Sequence, residues 1–294
     1  MKLEAQQRCP LCRDEGIVLF KKGTIVPENI RCADFKITDS HYGSRWTFFS
    51  CRRCGFVFAN PAPAKGTIER FYAALADEEY SQEDAGRSRN FAVILKRLRP
   101  YAPPGSALLD VGAASGIFLN LARDMGYRVA GIEPAAELVA DAEKLFGLKL
   151  FCGTVEQYAA TEKFAAITLL DVLEHVADPG AFIAALSKWL APGGMLVIVT
   201  PDIGSLAARI MGGRWWHYRV AHIHFFNRRS LAYLLEQYGF EIVVRRRYAW
   251  NFSLYYLLTR LWPGFKGGAL QKPLKKLNCK LQLFDSWEIY ARKK

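Results

Sequence analysis

Short apolar runs recur through the middle and the end of the chain, and apolar residues at helical spacing follow most of them. Such runs, bounded by turn residues, are typical of strands buried inside a sheet. The predicted strands are residues 108–110, 128–133, 148–153, 164–170, 195–200, 241–248 and 287–292. Strands that alternate with helices indicate an α/β fold with a largely parallel sheet.

The first 60 residues have a different pattern, with two predicted strands at 45–50 and 56–58. Two C-x-x-C turns are present, and each can direct two thiolates at one tetrahedral ion. The four cysteines are Cys9, Cys12, Cys51 and Cys54. We predict a small zinc ribbon with a structural zinc, since a closed four-sulfur site leaves no position for a substrate. Reduced thiols without metal, or a redox dithiol, are the alternatives.

Prolines and the change of pattern divide the chain into three predicted parts. These are a zinc-ribbon module, a helical cap or linker, and an α/β domain, over residues 1–60, 61–104 and 105–294. Within the cap, apolar spacing predicts helices over 65–76 and 86–99. Residues 249–284 form an insertion of aromatic residues and lysines between the last two strands of the domain.

Basic charge is concentrated near the C-terminal end. The net charge is +12, and residues 245–294 contain 12 Lys and Arg residues against two acids. Such a surface can bind anionic lipid, whereas a lid over a substrate pocket would use the same apolar residues as core. The sequence has no apolar run of about 18 residues and no signal-peptide pattern at its N-terminus. We expect a cytoplasmic protein, with peripheral membrane contact through the basic segment as one option.

A loop of small residues follows the first strand of the domain. Asp110 lies at the strand end, Gly112, Ala114 and Gly116 follow it, and Glu133 ends the next strand 21 positions after Gly112. Small residues let the backbone approach a ligand closely, and an acid at this spacing can accept both hydroxyls of a ribose. The chain is therefore predicted to bind a nucleoside-containing cofactor.

The spacing of this loop distinguishes two cofactor classes. A nicotinamide enzyme needs a small residue where Ile117 stands. The series D-x-G-x-G-x-G, with Ala114 in place of the middle glycine, resembles motif I of the class I S-adenosylmethionine-dependent methyltransferases. Downstream, L-E-H-V-x-D-P from Leu173 and L-x-P-G-G from Leu190 resemble the branch of ubiquinone-type and other bacterial small-molecule methyltransferases. The resemblance covers roughly residues 105–245.

The resemblance implies a Rossmann-like seven-stranded methyltransferase sheet with an antiparallel last strand. It also implies S-adenosylmethionine as cofactor, with Glu133 on the ribose, Asp110 near the methionine part and Asp171 in the methyl-transfer cleft. Residues after the third strand would border the adenine. The expected cofactor residues are Asp110, Gly112, Ala114, Gly116, Glu133, Pro134, Thr154, Val155 and Asp171.

Histidines are the candidate acid–base groups. His222 and His224 lie in an aromatic stretch after the fifth strand, and on an extended segment they would face the same side. We expect one of them to act as general base, with a structural hydrogen bond as the alternative. His175 is predicted either to polarise the substrate or to cap the loop. Metal binding by His222 and His224 lacks an evident third ligand.

These features predict methyl transfer to a small-molecule acceptor, with an oxygen of a sugar, a lipid-linked compound or a secondary metabolite as the preferred target. An RNA methyltransferase is the first alternative, because a zinc module and a basic tail can hold phosphates. One feature argues against this alternative. The Asn-Pro-Pro-Tyr-type tetrad of enzymes that methylate amino groups is missing after the fourth strand, where Asp171-Val172-Leu173-Glu174 stands instead. The second alternative is a non-catalytic nucleoside-binding module.

Overall fold

The N-terminal module consists of short antiparallel strands. The computed structural model of the chain describes residues 1–36, 42–75, 84–262, 264–265 and 268–294. The strands of the module are β1 Leu3–Glu4, β2 Ile17–Lys21, β3 Phe48–Cys51, β4 Val57–Ala59 and β5 Ala62–Pro63. β3 pairs with β2 and with β4, and β1 pairs with β5. One C-x-x-C turn precedes β2 and the other joins β3 to β4, which is the arrangement predicted for a ribbon.

Helices and a large sheet make up the rest of the chain. The helices are α1 Lys65–Ala73, α2 Asp84–Leu98, α3 Ile117–Asp124, α4 Ala136–Phe146, α5 Pro179–Trp189, α6 Leu206–Met211, α7 Arg228–Gln237, α8 Leu254–Leu261 and α9 Gln271–Lys276. The further strands are β6 Ala107–Val111, β7 Arg128–Glu133, β8 Phe151–Cys152, β9 Phe164–Leu170, β10 Leu190–Pro201, β11 His224–Phe225, β12 Phe240–Arg247, β13 Trp250–Ser253, β14 Asn278–Leu281 and β15 Ser286–Lys293. Both predicted cap helices are present; residue 76, which ended the first prediction, lies outside the described residues.

Seven strands form the central sheet, in the order β12-β15-β10-β9-β6-β7-β8. The pairs from β8 through β10 are parallel, and β15 is antiparallel to both of its neighbours. Most side chains of β6, β9 and β10 are buried because helices cover both faces of the sheet. The predicted α/β, Rossmann-like methyltransferase sheet is confirmed.

The third strand is shorter than the predicted 148–153. Gly147 ends α4 in the left-handed conformation, with φ of +64°. The amide of Leu148 then donates to the carbonyl of Ala142, which closes the end of the helix. The chain therefore joins the sheet only at β8, two residues in length.

The ribbon and the α/β domain share a sheet. β11 pairs antiparallel with β4, so that His224 lies opposite Phe58 and Phe225 opposite Val57. The indole Nε1 of Trp46 also donates to the carbonyl of Val220 over 2.7 Å. The module predicted for residues 1–60 is thus attached through backbone hydrogen bonds to the segment that follows β10.

The insertion at 249–284 folds into a strand pair with helices between its strands. β13 and β14 pair antiparallel, and α8 and α9 lie between them in the chain. The pair sits beside α2, where Asn90 Oδ1 accepts from the amide of Asn251 over 2.8 Å. Among the residues that the structure describes, no helix has the length and apolar character to cross a membrane.

Candidate active site

A cavity of about 700 Å³ lies at the carboxyl ends of the parallel strands. One side is formed by the loops after β6, β7 and β9, which is where ligands bind in open α/β sheets. The other side is formed by α1, α2, the segment 211–222 and the β13–β14 pair. The predicted residues that line it are Gly112, Ala114, Glu133, Pro134, Thr154, Val155, Asp171, His175 and His222.

The loop after β6 has an unusual backbone. Gly112 and Gly116 have φ of +74° and +79°, and Ala114 has φ of +47°. A Cβ atom on Gly112 would lie 2.6 Å from Cγ2 of Val172, so this position requires glycine. Ala114 adopts the left-handed conformation, which disfavours residues other than glycine by about 1–2 kcal/mol. The alanine that replaces the middle glycine of the motif therefore keeps the glycine conformation.

Glu133 holds this loop in place. Its Oε2 accepts from the amide of Ala114 and its Oε1 from the amide of Ala135, each over 2.9 Å. Burial raises the pKa of Glu133 to about 7, although both backbone hydrogen bonds act to lower it. Each carboxylate oxygen has a second lone pair, so the group can still accept hydrogen bonds from a ligand in the cavity.

Two predicted cofactor residues lie behind the cavity wall. Asp110 is buried and accepts a hydrogen bond from the hydroxyl of Thr168. Burial raises the pKa of Asp110 to about 7. Gly116 begins α3, and a Cβ atom there would lie 3.0 Å from Leu148 and 3.1 Å from Ala142. Neither residue is among those lining the cavity, and Gly116 is needed for the packing of α3 against α4.

Asp171 lies where β9 meets the cavity. It has a left-handed backbone, with φ of +56°, a conformation that aspartate tolerates better than most residues. Enclosure in the cavity raises the pKa of Asp171 to about 7, while the positive charges of Arg87 and Arg219 act in the opposite direction. The strained position and the shifted pKa are both typical of a functional site.

His175 and His222 face each other at the cavity wall, with ring centroids 4.7 Å apart. Nδ1 of His175 lies 2.9 Å from the carbonyl of Ala221 and 2.7 Å from the hydroxyl of Tyr72. Because a carbonyl only accepts, Nδ1 carries the proton and Nε2 the lone pair. Among the described residues, Nδ1 of His222 has no hydrogen-bond partner. Burial lowers the pKa of His175 to about 4 and that of His222 well below its usual value.

His224 lies elsewhere. It belongs to β11, packs against Phe56 at 5.1 Å between ring centroids, and its Nε2 lies 3.3 Å from the carbonyl of Ala177. Burial lowers its pKa to about 4. The expectation that His222 and His224 face the same side fails because the amide of His222 closes a turn onto Arg219. The alternation of a strand begins only at residue 224.

His217 also lines the cavity, together with the cap residues Tyr72 and Arg87. Its Nε2 lies 3.3 Å from Oδ2 of Asp285. The aromatic–histidine stretch contained the signal for His217, but Asp285 lies 68 positions further along the chain. Local spacing does not predict a contact over that separation. His217, Tyr72 and Arg87 were absent from the predicted site.

The four predicted zinc ligands lie together. Their sulfur atoms are all within 4.8 Å of one another. Cys9 and Cys54 have Sγ atoms 3.6 Å apart, and those of Cys12 and Cys51 are 3.4 Å apart. A tetrahedral site with Zn–S distances of about 2.3 Å has sulfur–sulfur edges of about 3.8 Å. The four residues therefore fit a structural zinc.

The family model described as "Methyltransferase domain" matches residues 84–244, which is more than half of the chain. The chain belongs to the class I S-adenosylmethionine-dependent methyltransferases. The match includes the small-residue loop, Glu133 and the histidine cluster, and it excludes the cysteine module and the last strand. Membership of the family thus rests on the part of the chain that builds most of the cavity.

Curated relatives of this chain include ubiquinone biosynthesis O-methyltransferases. The protein of Rhodopseudomonas palustris (strain BisB18) is 33% identical over 119 residues, which are 38% of this chain and 46% of that protein. The protein of Xanthomonas oryzae pv. oryzae (strain PXO99A) is 38% identical over 104 residues, which are 33% and 43% of the two chains. The matched region therefore spans less than half the length of these relatives.

Solved structures share the fold. Magnesium protoporphyrin IX methyltransferase from Synechocystis PCC 6803, with S-adenosylmethionine bound, has a TM-score of 0.51 at 14% identity over 80% of this chain and 100% of that chain. A putative methyltransferase from Bacillus halodurans C-125 has a TM-score of 0.50 at 16% identity over 70% and 99% of the two chains. At these identities the comparison shows the fold alone.

Proposed function

We propose that the chain transfers the methyl group of S-adenosylmethionine to an oxygen atom of a small-molecule acceptor. One observation carries the proposal: a single cavity joins the small-residue loop and Glu133 to a cluster of histidines. The named relatives, which are O-methyltransferases, support oxygen as the target. Sugars, lipid-linked compounds and secondary metabolites are the acceptor classes that we propose.

The cofactor is proposed to lie along the loops after β6, β7 and β8. Glu133 accepts the ribose hydroxyls, the backbone at Gly112 and Ala114 permits close approach, and Thr154 and Val155 border the adenine. Asp171 faces the reacting end. Asp110 and Gly116 act from behind the wall, Asp110 by anchoring the end of β6 through Thr168 and Gly116 by allowing α3 to pack.

The sulfonium of the cofactor activates its own methyl group, so the protein has to align the acceptor and handle its proton. His222 and His175 line the cavity, and their lowered pKa values keep them neutral near pH 7. A neutral imidazole with a lone pair can accept a hydrogen bond from a hydroxyl. We propose that both orient the acceptor. His224 contributes to the packing of the ribbon instead.

The acceptor half of the cavity is largely aromatic. Trp250 and Phe252 stack with ring centroids 5.9 Å apart, and Phe252 and Tyr256 stack at 5.1 Å. All three line the cavity, next to Trp216. A wall of this composition favours an acceptor with a ring or an apolar portion beside its hydroxyl group.

We further propose a structural zinc on the four cysteines and a peripheral contact between the insertion and anionic lipid. The sulfur geometry supports the zinc. For the lipid contact, Trp262, Leu270 and Leu277 are 73%, 63% and 55% exposed, and residues 249–284 contain basic residues and no acid. Exposed apolar side chains among lysines suit the surface of an anionic bilayer.

Two measurements test the central proposal. Calorimetry of the full chain with S-adenosylmethionine should show one binding site, and its absence would refute the cofactor assignment. Metabolite profiling of a deletion strain of the source organism should reveal a species that lacks one methyl group. An RNA lacking a methyl mark, with unchanged metabolites, would replace the small-molecule acceptor by RNA.

A further inference from the structure

His217 differs from the other cavity histidines because a carboxylate oxygen lies close to one of its ring nitrogens. The residue is 8% exposed. Its Nε2 lies 3.3 Å from Oδ2 of Asp285 and 3.3 Å from the hydroxyl of Ser286. Both partners lie directly before or at the start of β15, which is part of the central sheet. The imidazole is therefore positioned by the rigid scaffold, although the residue itself lies on a loop.

Asp285 is itself fixed. It is 1% exposed, and its Oδ2 accepts from the indole Nε1 of Trp215 over 3.0 Å. Its backbone carbonyl accepts from the amide of Asp202 over 2.7 Å. A proton on Nε2 of His217 lets the ring donate towards Oδ2 of Asp285, which lies 3.3 Å away. The lone pair then resides on Nδ1, the other ring nitrogen of this cavity-lining residue.

The neighbouring histidines lack such support. The ring of His217 stacks on that of His222 at 6.0 Å, and His222 contacts His175 at its edge. Desolvation disfavours a positive charge on His222 and His175. The carboxyl group of Glu174 lies within 4.8 Å of a nitrogen of each ring, but burial raises the pKa of Glu174 well above its usual value and so favours its neutral form. Asp285 has a carboxylate oxygen 3.3 Å from a ring nitrogen of His217, and among the described residues no carboxylate oxygen lies as close to a ring nitrogen of His175 or His222.

We propose that His217, positioned by Asp285, is the general base of the methyltransferase. The assignment rests on the proposed transfer to a hydroxyl acceptor. The acceptor O–H bond breaks and its proton moves to Nδ1 of His217. An electron pair of the acceptor oxygen forms the bond to the methyl carbon, and the electron pair of the carbon–sulfur bond stays on sulfur. The products are a methyl ether, S-adenosylhomocysteine and an imidazolium, which loses its proton to water.

The tautomer of His217 can be measured without knowing the acceptor. In the full chain labelled with [15N]histidine, the ring nitrogen shifts should show the Nε2–H form for His217. In Asp285→Asn this preference should be lost. Trp215→Phe is the matched control, because it removes the hydrogen bond from Trp215 to the same carboxylate and should leave the tautomer unchanged. An Nδ1–H form in the wild-type chain would overturn the proposal.

The rate is the second readout. Methyl-labelled S-adenosylmethionine is incubated with the full chain and an extract of the deletion strain, and label transferred to the extract is counted. His217→Gln keeps an N–H donor towards Asp285 but has no basic nitrogen, and should slow transfer by about 100-fold. Its affinity for S-adenosylmethionine, by calorimetry, should stay within about 2-fold of wild type, because His217 is not among the residues proposed to hold the cofactor.

The two proposals fail differently. If the wild-type chain binds S-adenosylmethionine but transfers no methyl label, the methyltransferase function is refuted. The tautomer of His217 still reports on the contact with Asp285 in that case. Wild-type transfer together with an equal rate in His217→Gln would refute the base and leave the function standing. If Asp285→Asn does not fold, the rate of methyl transfer by His217→Gln alone tests whether His217 is the base.

Discussion

At the scale of single residues, Glu133 lies in the proposed cofactor site and also holds the loop after β6 through the amide of Ala114. We predict that Glu133→Ala weakens binding of S-adenosylmethionine by about 2 kcal/mol, because charge-assisted hydrogen bonds to the ribose and the support of the Ala114 amide are both lost. Calorimetry measures the change. Glu137→Ala, an exposed acid in the first turn of α4, is the matched control and should bind as the wild type does. Equal affinities in the two variants would contradict the ribose assignment.

The raised pKa of the same side chain predicts a pH dependence. Burial raises the pKa of Glu133 to about 7, so the group is protonated below that pH in the free protein. Ribose hydroxyls favour the ionised form, and affinity for S-adenosylmethionine should therefore rise as the pH increases through about 7 and level off above it. Calorimetry in buffers of different ionisation enthalpy should detect proton release on binding below pH 7. Glu133→Gln should release fewer protons; the same release as in the wild type would show that another group titrates.

Ala114 is a strained residue in an otherwise regular loop. We predict that Ala114→Gly raises the free energy of unfolding by about 0.5 kcal/mol, since relief of the left-handed conformation exceeds the added freedom of the unfolded chain. Ala113→Gly is the control. Ala113 is the preceding residue, is buried and does not have a positive φ, so its replacement by glycine should destabilise the fold. Chemical denaturation of both variants tests this. A loss of stability in Ala114→Gly would mean that the alanine methyl group contributes packing that outweighs the strain.

Residues were predicted well where chemistry depends on local spacing. The cysteine pairs and the interval from Gly112 to Glu133 lie within single turns or one strand–helix–strand unit, so their positions follow from the sequence. His217 and Asp285 meet only because β15 inserts antiparallel into the sheet beside β10. The sequence placed candidate acid–base histidines in the aromatic stretch after the fifth strand, but which of its histidines faces the cavity depends on the turn at His222.

At the scale of elements, the cysteine cluster fixes the ends of the ribbon strands. We predict one zinc ion per chain, measured by elemental analysis of protein purified without added metal. The double change Cys51→Ser and Cys54→Ser should remove the zinc and lower the melting temperature, because β3 and β4 lose their common anchor. Cys152→Ser with Cys279→Ser is the matched control and should keep the metal. Zinc that survives the first pair of changes would refute the site.

Element boundaries show what periodicity can predict. β9 has the bounds that its apolar run predicts, residues 164–170, because the run is flanked by turns on both sides. β8 is much shorter than its run, since the end of α4 uses the amide of Leu148. β11 was not predicted as part of the ribbon sheet. Its two residues pair with β4 across a gap of more than 160 positions, and no local pattern reports such a pairing.

At the scale of the whole molecule, charge is distributed unevenly around the cavity. We predict that the full chain, after nuclease treatment, co-sediments with vesicles containing anionic phosphatidylglycerol and that added salt weakens the binding. Changing Lys272, Lys275, Lys276 and Lys280 to Gln should abolish it. The matched control changes Lys144, Lys149, Lys163 and Lys188, which are exposed on other elements, to Gln. If the protein stays in the supernatant at low salt, the lipid contact is refuted, and the insertion is better interpreted as a lid over a soluble acceptor.

The backbone pairing of β4 with β11 makes the two halves of the cavity depend on different parts of the chain. The half that we propose binds S-adenosylmethionine is formed by the loops after β6, β7 and β8 of the central sheet. The proposed acceptor half includes His217 and His222, on the segment that leads into β11, and β11 pairs with β4 of the module that contains the four clustered thiols. Oxidation of those thiols is therefore expected to impair binding of the acceptor while S-adenosylmethionine still binds. Sensitivity to oxidants would appear in turnover long before it appeared in donor binding.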